Sequence, residues 1–256
     1  MTAPPLSAAL DFAGRRALVT GASRGFGAVL ARRLATHGAH VFINYVRDDD
    51  SARRTLSEIE VRGGSATLVK ANLIHRADLD AMFDHIATTG RLDILIHNAA
   101  LGAFKRTLDV RANQWDLSMS VNARALLVCA QKAAPLMSDR SGKIVSISSI
   151  GSVRVLPSYG AIGASKAALE SLTRYLAVEL APRGINVNAV SAGLMPGTSI
   201  GHHPVMGPLA AQTDVSHLHA VDPDDVASVA LFLCSPLAKG IVGQTIVVDG
   251  GCSLSF

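Results

Sequence analysis

The segment Thr20-Gly21-Ala22-Ser23-Arg24-Gly25-Phe26-Gly27 puts three glycines in a turn between an apolar run, Arg16–Thr20, and a stretch with Phe26, Val29, Leu30 and Leu34 on one helical face. That is chemistry for holding phosphate. Glycines let the chain turn sharply and bring backbone N–H groups close to an anion, and a helix that starts at the turn adds partial positive charge. A nucleotide site is therefore expected at Gly21, Ser23, Arg24, Gly25, Phe26 and Gly27. Two other groups of reactive side chains invite weaker readings. His202, His203, His217 and His219 lie near one another, but no carboxylate or cysteine accompanies them at ligand spacing, so no metal site is expected. Cys129, Cys234 and Cys252 are odd in number and far apart, which fits a reducing cytoplasm better than a disulfide framework.

The elements that must position the turn are legible as β-branched runs alternating with helical periodicity. Strands are expected at Arg16–Thr20, His40–Tyr45, Ala66–Lys70, Leu92–His97, Lys143–Ser148, Ile185–Val190 and Thr245–Asp249. Between them lie amphipathic stretches such as Leu79, Met82, Phe83 and Ile86, or Leu169, Leu172, Leu176 and Leu180. This alternation predicts an α/β fold, a doubly wound, Rossmann-like parallel sheet of seven strands in a single domain over residues 1–256. The stretch from Pro196 to about Val221 lacks periodicity and reads as a lid over the ligand crevice. With 49% apolar and 17% charged residues the chain can bury a sizeable core, and its net charge of +4 is scattered, so no nucleic-acid surface is expected. No apolar run approaches the ~20 residues that span a bilayer, and Met1–Asp11 lacks the pattern of a secretion signal. No membrane association is expected.

The spacing TGxxxGxG, followed by Asn98-Ala99-Ala100, Asn122, Ile147-Ser148-Ser149 and Val248-Asp249-Gly250-Gly251, resembles the short-chain dehydrogenase/reductase family along nearly the whole chain. The resemblance implies a nicotinamide dinucleotide, with contacts also at Tyr45, Asn72, Leu73, Asn98, Ala99, Ala100, Ile147, Gly193 and Thr198. A carboxylate closing the second strand would bind the adenosine ribose hydroxyls and repel a 2′-phosphate. This chain instead reads Asn44-Tyr45-Val46-Arg47, and Arg24 sits in the glycine turn, so two guanidinium groups could grip a 2′-phosphate. NADPH is expected over NADH.

The resemblance also implies a catalytic tetrad of Asn122, Ser149, a tyrosine and Lys166, the tyrosine four residues before the lysine. Here that position is Ile162, which can neither donate nor accept a proton. The nearest phenol is Tyr159, seven residues before Lys166. At about 100° per residue, offsets of four and seven residues return to nearly the same helix face, so Tyr159 would still point to the side of Lys166, about one turn further away. A phenol so displaced resembles the enoyl-acyl-carrier-protein reductases of this fold, most nearly the NADPH-dependent type III kind. The likeness covers Ser148–Ser152, Tyr159–Leu180 and Gly243–Gly251. In such an enzyme hydride goes to the β-carbon, and Tyr159 would stabilise the enolate oxygen. Lys166 would hold the nicotinamide ribose.

Three functions follow in order of expectation. The first is NADPH-dependent reduction of the α,β double bond of an enoyl thioester, the substrate carried by acyl-carrier protein or coenzyme A. The second is a ketone or imine reductase of specialised metabolism. The third, motivated by Ile162 and by His97-Asn98-Ala99-Ala100 in place of the commoner Asn-Asn-Ala-Gly, is a non-catalytic NADPH-binding subunit. By analogy with the family, a homotetramer is expected, with Leu169–Leu180 and Val226–Leu233 as candidate contacts.

Overall fold

In the computed structural model the described residues are 10–137, 141–193, 195 and 221–254. Adjacent residues of the first strands are buried on opposite faces, as a sheet covered on both sides demands. In β1 (Arg16–Val19), Ala17 and Val19 enter one core and Leu18 the other; in β4 (Ile94–His97), Ile94 and Ile96 face the first core and Leu95 the second. The remaining strands are β2 (His40–Tyr45), β3 (Ser65–Lys70), β5 (Lys143–Ser149), β6 (Asn186–Ala192) and β7 (Thr245–Val248). All seven expected strands are present, β2 at the expected bounds and the others with ends that move by at most two residues. β4 starts at Ile94 rather than Leu92 because the Leu92 amide turns aside to the Leu136 carbonyl, 3.0 Å away.

Every pairing is parallel, in the order β3-β2-β1-β4-β5-β6-β7. Helices α1 (Gly25–Thr36), α2 (Asp49–Val61) and α7 (Pro223–Cys234) pack on one face through Phe26, Leu30, Leu34, Ile59, Val226 and Leu231. Helices α3 (Arg76–Thr88), α5 (Ala125–Ala133) and α6 (Gly160–Leu180) cover the other through Leu79, Phe83, Ile86, Leu126, Cys129 and Leu169. Each fully buried aliphatic side chain of this kind contributes about 1.5–3 kcal/mol relative to exposure. A further helix, α4 (Ala112–Met119), runs into α5 through a π-helical turn at Ser120–Arg124.

The fold is thus the expected doubly wound α/β sheet. The order in which successive strands are added changes side between the parallel neighbours β1 and β4, which opens a crevice beyond the carboxyl ends of those strands. Among the described residues no helix is long and apolar enough to cross a membrane. Most of the expected lid, 196–220, lies outside the described residues, as do Thr198, His202, His203, His217 and His219.

Candidate active site

The glycine turn is held open by its neighbours rather than by its own side chains. Gly21 takes φ 62°, and a β-carbon there would come within 2.9 Å of the Ala99 Cα, so only glycine fits. Its amide donates to Asn44 Oδ1 at 3.2 Å, and the Asn44 side-chain nitrogen donates to the Val69 and Ala71 carbonyls. Asn98 Nδ2 donates to the Thr20 and Gly21 carbonyls, at 3.0 and 3.1 Å. Arg24 is the residue before α1, but its side chain makes no hydrogen bond to the first-turn amides, and no acidic residue occupies that turn. Uncapped amides at a helix start, beside glycines, suit a phosphate.

Arg24 projects into solvent, 78% exposed, with Asp48 3.7 Å away; Arg47 is exposed as well. A hollow of about 320 Å³ outside the turn is lined by Ser23, Arg24, Ser51 and Arg54 among others, though neither Tyr159 nor Lys166 reaches it. Tyr45 is tied down: its hydroxyl donates to Asp49 Oδ1 at 2.8 Å, and Asp49 in turn takes Lys70 Nζ at 2.9 Å. Asn72 Oδ1 accepts from the Ile74 amide at 3.3 Å, and Leu73 is buried in the second core. Ala100 is exposed in the loop that follows β4, and the Gly193 amide donates to the Val248 carbonyl at 3.1 Å.

A polar chain crosses from the turn to the π-helical segment. Thr20 Oγ1 accepts from the Asn98 and Ala99 amides, both at 3.0 Å, and lies 3.3 Å from His97 Nδ1. His97 Nε2 is 3.2 Å from the Asn122 carbonyl. A carbonyl only accepts, so Nε2 carries the ring hydrogen and Nδ1 accepts from the Thr20 hydroxyl. Burial, then the nearby Lys166 charge, lowers the His97 pKa to about 4, keeping the ring neutral. The Asn122 side chain joins two further elements: Nδ2 donates to Ser165 Oγ and Oδ1 accepts from the Leu101 amide, both at 2.8 Å.

Tyr159 is the residue before α6, immediately after Ser158 at φ 60°. Its carbonyl accepts from the Gly163 amide at 2.7 Å, so the helical path of α6 extends back to this residue. The phenol is buried, 3% exposed, with its ring 5.8 Å from that of Phe104. Gly151 makes room for it, since a β-carbon there would lie 2.5 Å from Tyr159 Cε1. Burial raises the phenol pKa, and a side-chain hydrogen bond with Ser149 offsets part of the rise. Ser149 Oγ itself accepts from the Gly151 amide at 3.2 Å. Lys166 Nζ donates to the Ile147 carbonyl at 2.6 Å; burial lowers its pKa to about 8, while Glu170 pulls the other way. Ile162 is buried against Gly102, where a β-carbon would meet Ile162 Cγ1 at 2.3 Å.

Residues 21–253 match the family model described as enoyl-(acyl carrier protein) reductase. The chain is 43% identical to the 1-cyclohexenylcarbonyl-CoA reductase of Streptomyces collinus, over 93% of this chain and 86% of that one. It is 34% identical to the 3-oxoacyl-acyl-carrier-protein reductase FabG of Staphylococcus aureus, over 93% and 97%. Among solved structures, the angucycline C-6 ketoreductase LanV with bound NADP superposes with a TM-score of 0.88 at 33% identity, over 96% and 98%. The chain belongs to the short-chain dehydrogenase/reductase family. It is an oxidoreductase of that family.

Of the tetrad positions that the short-chain dehydrogenase/reductase resemblance implied, Ser149 bonds the displaced Tyr159, Asn122 is bonded to Ser165 next to Lys166 in α6, Lys166 reaches the Ile147 carbonyl of β5, and Ile162 puts hydrocarbon at the usual tyrosine position. Sequence reasoning missed Phe104, the His97 bridge and the carboxylate of Glu170. Only Glu170 carried a local signal: it lies one turn beyond Lys166 on the buried side of α6.

Proposed function

We propose that this chain reduces the α,β double bond of an enoyl thioester, carried by coenzyme A or acyl-carrier protein, with NADPH as cofactor. The single observation that carries this reading is the pairing of a buried, protonated Tyr159 with an aliphatic Ile162 at the position nearer Lys166. Bound NADPH would supply hydride to the substrate. The uncapped α1 amides and the glycines suit its pyrophosphate, Arg24 and Arg47 its 2′-phosphate, and Lys166 its ribose hydroxyls.

Hydride on the β-carbon would leave negative charge on the thioester oxygen, and the chain's own contribution is to that charge; a proton taken up at the α-carbon, from solvent or through Tyr159, would then complete the saturated thioester. In this reading Ser149, whose Oγ accepts from the Gly151 amide and whose side chain bonds Tyr159, would donate to the phenol oxygen, so that the phenol O–H could be given to the enolate. A donor so preorganised in a dry site stabilises the transition state more than the ground state. Lys166, cationic through neutral pH, adds favourable charge nearby. Asn122 holds the loop after β4, at Leu101, and α6 together, and so sets the spacing of the pocket. The Streptomyces collinus relative, named for an unsaturated acyl-CoA, supports this substrate class.

A second reading, reduction of a ketone, is favoured by relatives such as FabG and LanV. The deciting measurement is loss of NADPH absorbance with an α,β-unsaturated thioester and, separately, a β-keto thioester. Turnover of the enoyl substrate is expected, with a Tyr159→Phe variant slower by about 10²–10³-fold. Turnover of the keto substrate alone, or a Tyr159→Phe variant at full rate, overturns the reading.

A further inference from the structure

Glu170 is a buried carboxylate that the proposed reaction leaves without a task. A carboxylate is not taken from water without compensation, and its partners identify what the burial achieves. Glu170 Oε1 accepts from Ser148 Oγ at 2.5 Å and from Ser152 Oγ at 2.6 Å. These two hydroxyls flank the stretch that contacts Tyr159: Ser149 bonds its oxygen, and Gly151 packs on its ring. One carboxylate oxygen therefore pins both ends of the segment that seats the phenol. Glu170 also stands four residues after Lys166 on the same side of α6, the spacing at which helical side chains interact.

Resting on the reading of Tyr159 as the enolate donor, we propose that Glu170 is a positioning residue that clamps the Ser148–Ser152 segment against Tyr159 and holds Lys166 in its charged form. The two duties are separable, because one needs reach and the other needs charge. Two ionisable groups besides Glu170 face this region. His97, from β4, is neutral above a pKa of about 4, and Tyr159 titrates above its ordinary range. Neither changes charge between pH 6 and 9, so a titration there belongs to Lys166, whose pKa is about 8 and is raised by Glu170. Removing the negative charge lowers that pKa further.

The test uses Glu170→Gln, which keeps length and an accepting oxygen but no charge, and Glu170→Asp, which keeps charge but shortens the reach. In Glu170→Gln the alkaline fall of kcat/KM moves to lower pH; for a one-unit shift the loss grows from about twofold at pH 7 toward about tenfold at pH 9. In Glu170→Asp the limb stays near its original pH while kcat falls at every pH. Nitrogen NMR of labelled lysine in the cofactor-free chain reads the same Lys166 shift without any turnover. A pH-independent loss in Glu170→Gln with an unmoved Lys166 titration overturns the proposal. A Tyr159→Phe control that keeps full enoyl activity overturns instead the proposed function, and leaves the lysine titration to decide the charge role of Glu170.

Discussion

His97 and Lys166 are both enclosed, and each meets burial in its own way. Lys166 keeps a proton because it donates to the Ile147 carbonyl and has Glu170 nearby. His97 stays neutral because burial penalises the charged ring and Lys166 repels a second charge, while its Nδ1 accepts from the Thr20 hydroxyl. The consequence for stability has a definite sign. Below pH 6.5 the unfolded chain takes up a proton on this histidine, whereas the folded chain does so only near pH 4. The unfolded state then binds more protons, so stability falls as pH falls through that window, by an amount approaching about 3 kcal/mol for this group. In His97→Asn an amide can bridge the same neighbours without titrating. Urea midpoints measured from pH 7 to pH 4 are expected to drop less steeply in His97→Asn than in the parent chain, and parallel slopes would contradict the assignment.

The junction before α6 is where an element, rather than a residue, determines what Tyr159 can do. Ser158 is the single non-glycine residue with positive φ among those described, and the strain it carries turns the chain so that Tyr159 meets Phe104 and Gly151. Ser158→Gly relieves the strain but enlarges the unfolded ensemble, so a net gain below about 1 kcal/mol is expected, with activity retained. Ser158→Val, branched at Cβ, loses more than about 1 kcal/mol and slows turnover by displacing the phenol. Melting temperature and kcat measured on both variants check this, and equal melting temperatures would refute it. That Tyr159 adjoins the helix was legible from helical phase, as were all seven strands from their β-branched runs. The Glu170 clamp was not, because its serines lie 18 and 22 residues earlier and meet it only when α6 packs on β5. The π-helical turn was hidden for the same reason: it carries Asn122, whose partner Ser165 is 43 residues away.

Over the whole molecule, the two cores lie on opposite faces of the sheet, and the candidate cofactor crevice opens where the order of successive strands changes side, between β1 and β4. The Thr20–His97 contact and the Asn98 bonds to the turn already tie those two strands together. A dinucleotide seated across them would bind the folded state alone, and so raise global stability by mass action. At a hundred times its Kd, NADPH is expected to add about 2.7 kcal/mol. For a chain of this size that corresponds to a rise in melting temperature of about 5–10 °C. NADH at the same concentration should give a smaller rise, because Arg24 and Arg47 have no 2′-phosphate to hold. Their exposure adds a second signature: salt screens exposed charges over about 8–10 Å, so the NADPH advantage should shrink as ionic strength rises. Replacing both arginines with alanine should bring the NADPH curve down to the NADH curve while leaving the unliganded melting temperature nearly unchanged, since the only ion pair described for either is the exposed Arg24–Asp48 contact. Equal shifts for the two cofactors in the parent chain would place cofactor choice elsewhere than at these two side chains.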